Sequence, residues 1–259
     1  MLEWIDSVLW TWMLVFMRAS AFLLILPLFS VRQMPASVRV ALGAIMAYMI
    51  AVSGSIDSVV PEFWLDTLLI MAMEIGVGLV MGFFIRLIFY GFEMAGQIIS
   101  LETGLSMSQL LNPFEGQSAP LFSSLLFYFS VIIFLALDLH HEVLAGFYYS
   151  YNILPIGGAV ITENLADAVI LRSIKLFWVA LEMAAPIISV SFTVTLMFSV
   201  FGRAVPQMNV FVLSFPIRVM AGIVVFGLST SLFFAYIRGY LSTLPTDITN
   251  VVHLISGAA

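Results

Sequence analysis

An all-α, membrane-type protein is what the sequence predicts, and three observations carry that reading. Of 259 residues, 62% are hydrophobic and 9% charged, against roughly 45–50% and about 25% in ordinary soluble domains. Six apolar stretches, at about 8–29, 38–56, 65–90, 119–137, 173–201 and 210–237, reach or approach the roughly 20 residues that a spanning helix needs. No period-2 alternation runs long enough for a β-barrel. Nine basic and fifteen acidic residues cannot furnish the charged skin of a soluble globule of this length, and the mean hydropathy is +1.13.

The elements follow in order. Glu3 and Asp6 precede the first apolar run, opposite to the basic start of a cleavable signal, so the run is expected to stay as a first helix. Trp4, Trp10 and Trp12 near its start read either as an interfacial aromatic belt or as packing residues. The stretches Val40–Ile56, Gly116–Leu137, Met183–Gly202 and Val219–Ile237 carry no charge. Gln33-Met34-Pro35, Ser53-Gly54, Asn112-Pro113, Leu154 to Gly158 and Thr243-Leu244-Pro245 punctuate them as helix boundaries do. Pro27, Pro186, Pro206 and Pro216 fall inside apolar runs and predict bends or broken helices. The segment 141–160 reads as an unusually apolar connection, interfacial or covered by partners. Arg32, Arg39 and Arg203 put the first and fifth connections on the cytoplasmic side. Glu93, Glu102 and Glu115 in the third connection run against that pattern.

Composition also excludes function classes. A net charge of −6 with Lys175 as the single lysine argues against nucleic-acid binding, which needs a basic face. Absence of cysteine removes thiol catalysis, thiolate-bound metals and disulfides. No HExxH, P-loop, GxSxG or GxGxxG motif is present, so neither catalysis nor a cofactor is expected. The cluster Asp138-Leu139-His140-His141-Glu142 resembles a metal site at first sight. Adjacent helical residues diverge, however, and the i,i+3 or i,i+4 partners of Asp138 supply too few ligands. It reads as a polar helix end, with no metal expected.

Ionisable residues inside apolar runs cost about 2.5–3.5 kcal/mol each at a bilayer centre. Arg18, Glu74 and Glu182 are therefore coupling residues of a carrier, a structural ion pair such as Arg18 with Glu74, or partner contacts. Arg86, Tyr90, Glu93, Gln97 and Ser100 recur at helical spacing and form one polar stripe, suited to water or a polar partner. Gly91, Gly96 and Gly104 thin the neighbouring surface, and Gly78 with Gly82 forms a GxxxG match. Ser106–Ser118 mixes polar and bulky apolar residues. It is either an ordinary surface loop or a loop folded into a pore, with Met107, Leu110, Leu111 and Phe114 plugging it.

The stretch Phe201–Pro216, FGRAVPQMNVFVLSFP, resembles the FliR family of flagellar export-gate proteins and its SctT relatives in virulence secretion. It carries the family's R-x-x-P-Q-x-N/S-x-F-x-x-x-F/Y-P core. Arg18–Arg39 (RASAFLLILPLFSVRQMPASVR), Glu93–Ser106 (EMAGQIISLETGLS) and Leu154–Gly157 agree in order and spacing.

The resemblance implies a core subunit of the flagellar type III export channel, conducting unfolded flagellar subunits across the bacterial inner membrane in the basal body. It implies a hetero-oligomer with FliP-like and FliQ-like subunits, beside FlhB-like and FlhA-like components. Residues 1–170 would be FliP-like and 171–259 a FliQ-like hairpin of two bent helices, with Arg203, Pro206, Gln207 and Asn209 at its tip. The last four read either as subunit contacts or as local capping and turn residues. Ser106–Ser118 matches the family's plug, although Asn112 stands where some relatives have Asp. The competing reading is a small-solute secondary transporter using Arg18, Glu74 and Glu182.

Overall fold

The computed structural model describes residues 2–29, 35–53, 63–106, 120–160, 163–205, 207 and 209–257, apart from the side chains of 2–7, 163 and 210–212. These residues form helices α1 (Leu2–Ile25), α2 (Ala36–Val52), α3 (Trp64–Thr103), α4 (Leu121–Ala136), α5 (Leu139–Ile153), α6 (Glu163–Ala204), α7 (Val210–Leu228), α8 (Thr230–Leu241) and α9 (Leu244–Ser256). No strand occurs among the described residues, and the class is all-α. Three helical stretches, Val8–Ile25, Trp64–Thr103 and Asn164–Ala204, are long and apolar enough to cross a membrane. Two consecutive pairs, Leu121–Ala136 with Leu139–Ile153 and Leu213–Leu228 with Thr230–Ser256, pass the same test jointly.

Several boundaries differ from the sequence reading, each for a local reason. The supposed connection at 141–160 is helical to Ile153, because Leu139, Val143, Phe147, Ser150 and Tyr151 bury one face. The run at 210–237 divides at Ser229. There the Thr230 hydroxyl donates to the Gly227 carbonyl at 2.9 Å, the kind of side-chain intrusion that weakens a helical ladder. Pro27 lies just past the end of α1, whereas α6 and α7 continue through Pro186 and Pro216. Pro206 lies outside the described residues.

By contact the chain forms two compact units, Met1–Leu87 with Asp138–Arg172 and Ser242–Ala259, and Ile88–Leu137 with Ser173–Leu241. The division expected at residue 170 concerns likeness to other subunits, and these packing units do not bear on it.

In the first unit, α1 packs on α2, with Trp12 Nε1 donating to the Ala44 carbonyl at 3.2 Å. Trp12 also stacks on Phe16 at 5.5 Å between ring centroids, so it is a packing residue. The first part of α3 meets α1 with almost no side chain between them. A Cβ on Gly78 would overlap the Arg18 carbonyl oxygen, and one on Gly82 would press on Ile25 and the Phe22 carbonyl. Both residue numbers rise together, so the two helices run in the same direction where they touch. Helix α9 lays Leu244, Ile248, Val251, Val252 and Ile255 inward, and Ile248 fills the space beside Gly146 of α5. The Val160 N–H donates to the Ile255 carbonyl at 2.9 Å, tying the chain after α5 to the end of α9.

The second unit has an aromatic core. Phe89, Phe92 and Phe134 are fully or almost fully buried, and Phe89 meets Phe134 edge-on at 5.8 Å. Phe226 bridges Phe122 and Phe233 at 4.6 and 5.0 Å. A Cβ on Gly96 would overlap the Ser123 backbone, and the Ser123 hydroxyl donates to the Glu93 carbonyl at 2.9 Å. Helix α3 ends at Gly104, whose φ of 83° suits glycine. Its N–H donates to Leu101 at 3.1 Å, and the Ser106 N–H donates to Ser100 at 3.2 Å.

The helix contact at Gly78 gives a signed prediction. Gly76, with nothing within 4 Å of its virtual Cβ, should accept alanine and gain up to about 1 kcal/mol of helix propensity. Gly78→Ala forces the Arg18 backbone away and should lose about 1–3 kcal/mol. Thermal unfolding in detergent, followed by far-ultraviolet circular dichroism, should show melting shifts of opposite sign.

Candidate functional site: a buried ion pair and the exposed polar elements

Arg18 on α1 has no exposed surface and Glu74 on α3 has 1%. The glycine contact at Gly78, one turn beyond Glu74, brings the two helices close enough for the side chains to meet. Arg18 Nε donates to Glu74 Oε2 at 2.6 Å and Nη2 to Oε1 at 2.9 Å, a bidentate fork. The remaining donors are also met. Nη1 donates to Ser150 Oγ and to the Leu154 carbonyl, both at 3.3 Å. The carboxylate takes a further bond at 3.0 Å from the Gly157 N–H, on a glycine with φ of 75°. The guanidinium carbon sits 4.1 Å from the Tyr151 ring centroid, a cation–π contact. Two stretches that carry the family resemblance, Arg18–Arg39 and Leu154–Gly157, thus meet at one point with Glu74 between them.

Glu182 is not part of this cluster. It lies half-buried on α6 in the second unit, where Tyr240 Oη donates to its Oε2 at 2.7 Å. Lys175 Nζ stands 5.6 Å from the centroid of the same tyrosine ring. The three ionisable residues singled out from apolar runs therefore do not converge on one site. Arg18 and Glu74 neutralise each other, and Glu182 is held by a phenol.

Along α3 the polar stripe has graded exposure. Tyr90 and Gln97 are exposed, Arg86 and Glu93 half-buried, and Ser100 fully buried beneath the helix end. At the turn between α6 and α7, Arg203, Gln207 and Asn209 are exposed. Thr195 and Arg218 pair across the two helices, with Nη2 donating to Oγ1 at 2.9 Å. The plug residues Met107, Leu110, Leu111 and Phe114 lie outside the described residues.

Two features escaped the sequence reading, and the closeness of a third group was read only in part. Arg172 makes a bidentate ion pair with Asp247, and Thr243 Oγ1 donates to the same carboxylate at 3.1 Å. The available signal was the position of Asp247 on the apolar face of α9, where a carboxylate demands a partner. The second feature is the Ser150–Tyr151 wall of the Arg18 site, which gives no pattern in one dimension. The third is the gathering of Asp138, His140 and His141, whose ligand atoms all lie within 4.8 Å of one another. Asp138 takes a left-handed conformation, φ 54° and ψ 19°, and meets His141 at the i,i+3 spacing noted in the sequence.

A cavity of about 380 Å³ in the first unit is lined by Leu69, Met73, Val77, Val80, Val160 and Ile255 among others. Its lining offers no group for acid–base chemistry.

Fold and site together define an all-α protein of long apolar helices, fastened by a buried ion pair and fitted to a membrane. The chain belongs to the family described as bacterial export proteins, family 1, whose model matches residues 9–244. It is similar to the flagellar biosynthetic protein FliR of Bacillus subtilis, at 27% identity over 94% of this chain and 95% of that protein. The proteins of the same name from Escherichia coli and Caulobacter vibrioides are 27% and 29% identical. They cover 86% and 84% of this chain and 83% and 87% of their own lengths.

Breaking the ion pair from one side leaves the other charge buried. Arg18→Met or Glu74→Met alone should cost about 3–5 kcal/mol, and the double replacement much less. Thermal unfolding of the three variants in detergent, read as a double-mutant cycle, checks the coupling.

Proposed function

We propose that this chain is a core subunit, and not an enzyme, of the flagellar type III protein export channel. The observation that carries the reading is the family match over residues 9–244, joined to relatives of matching length named as flagellar biosynthetic proteins. In this reading the chain sits in the bacterial inner membrane at the flagellar basal body. Unfolded flagellar subunits pass along a path lined in part by its helices. Residues 1–170 act as a FliP-like part and 171–259 as a FliQ-like hairpin, assembled with FliP-like and FliQ-like subunits beside FlhB-like and FlhA-like components.

Helix dimensions support a life among protein partners. Helices α3 and α6 contain 40 and 42 residues, a contour of about 60 Å each at ~1.5 Å per residue. The hydrocarbon layer is about 30 Å thick, so lipid covers only about half of either helix. Phe192, Leu196, Val200 and Phe201 on α6 and Met220, Ile223 and Leu228 on α7 are exposed in the isolated chain. Apolar surface of that extent calls for neighbouring helices. The exposed residues Tyr90 and Gln97 suit the wet side of a conduit. Arg203, Gln207 and Asn209 offer hydrogen bonds to adjoining subunits around Pro206.

The gating mechanism is steric. Met107, Leu110, Leu111 and Phe114 block ions and solutes at rest, and an arriving substrate displaces them. Methionine suits such a seal because its unbranched thioether fills irregular gaps. Deleting residues 107–114 should raise ion conductance through the assembled complex, measured as collapse of membrane potential in cells. Unchanged conductance with intact assembly would remove the plug from the mechanism. Purification from membranes should bring FliP-like and FliQ-like chains along. A chain that purifies alone and moves a small solute in liposomes would instead be a carrier.

A further inference from the structure

Where α4 gives way to α5, the structure assigns a second, unrelated capacity to this chain: Asp138, His140 and His141 form a binding site for a borderline divalent transition ion, with Zn²⁺ the best fit. The left-handed backbone at Asp138 (φ 54°) turns its carboxylate back over the first turn of α5. Its Oδ1 lies 3.9 Å from His141 Nδ1. The two imidazole rings stand 4.0 Å apart between centroids, and His140 Nδ1 is buried without a hydrogen-bond partner among the described residues. One ligand atom from each of the three residues falls within 4.8 Å of the others. Donors bonded to zinc at about 2.0–2.2 Å in a tetrahedral shell lie ~3.3–3.5 Å apart. Small rotations of the exposed Asp138 and His141 side chains close that difference with no backbone movement.

The donor chemistry selects the ion. Two imidazoles and one carboxylate suit zinc, nickel or copper, while magnesium and calcium demand oxygen shells that this cluster lacks. Three protein ligands leave a fourth position open to water. A helix N-terminus carries about half a positive charge and by itself repels a cation. Asp138 together with Glu142, also exposed in the first turn of α5, supplies two negative charges that outweigh it. Bound metal would hold the turn at Asp138 in its left-handed form.

The test uses the full chain in detergent, purified through a tag without histidine. Co²⁺ is titrated and followed by visible absorption, Zn²⁺ is used to displace it, and bound zinc is quantified after dialysis. One ion per chain is expected, unaffected by excess Mg²⁺. His140→Gln and His141→Gln should each weaken binding by at least about tenfold, as should Asp138→Asn, which keeps a residue tolerant of the left-handed backbone. His253→Gln, altering the third histidine of the chain, should leave binding unchanged. The proposal is overturned if the wild type takes up no ion, or if His140→Gln and His141→Gln both bind as tightly as the wild type.

Discussion

An arginine with no exposed surface persists only where each of its donors is met. At Arg18 that requirement reaches Glu74 on another helix and the Leu154 carbonyl 136 residues away. Desolvating both charges costs several kcal/mol per ion, which the fork geometry and the added bonds from Ser150, Leu154 and Gly157 offset. Net stability is therefore a poor account of why the pair is there. Its physical effect is to fix one arrangement of α1, α3 and the chain after α5. Any sliding of these elements strands a charge in an apolar interior. The glycines at 78 and 82 serve the same end by removing the side chains that would hold α1 and α3 apart.

The rest of the molecule is less committed to itself. In the second unit the aromatic cluster around Phe89 gives α3 and α4 a dry interior. Helix α6 nevertheless turns Phe177, Trp178, Leu181, Phe192 and Leu196 outward. The chain's longest helices exceed the thickness of a bilayer and keep apolar side chains exposed. In the proposed reading, the high hydrophobic fraction counts surfaces for other subunits as well as for lipid.

The fold class was legible because apolar runs of spanning length leave few alternatives. The GxxxG match at Gly78 and Gly82 and the pairing of Arg18 with Glu74 were open to reasoning for a related cause. A charge in an apolar run has to find its opposite, and few opposites were available. Boundaries were less legible. The apolar face of α5 lies in a stretch too short to count as a span, and the break at Ser229 falls at the Ser229-Thr230-Ser231 cluster, which the long apolar run around it hides. Arg172 with Asp247 went unread because α9 is too short to count as a span, although Asp247 sits on its apolar face. At Asp138 the i,i+3 approach to His141 was legible from spacing, and the closeness of His140 to both was not.

The long reach of the Arg18 network also orders events during synthesis. Arg18 is made early and finds its first partner when α3 appears, yet the Ser150 hydroxyl and Leu154 carbonyl come much later. At about 5–20 residues per second, the 136 residues between Arg18 and Leu154 occupy on the order of ten seconds. Until Ser150 and Leu154 have been made, their bonds to Arg18 cannot form. Gly157 supplies the last contact to the pair, so the network that holds the first unit can close only once that residue has been added.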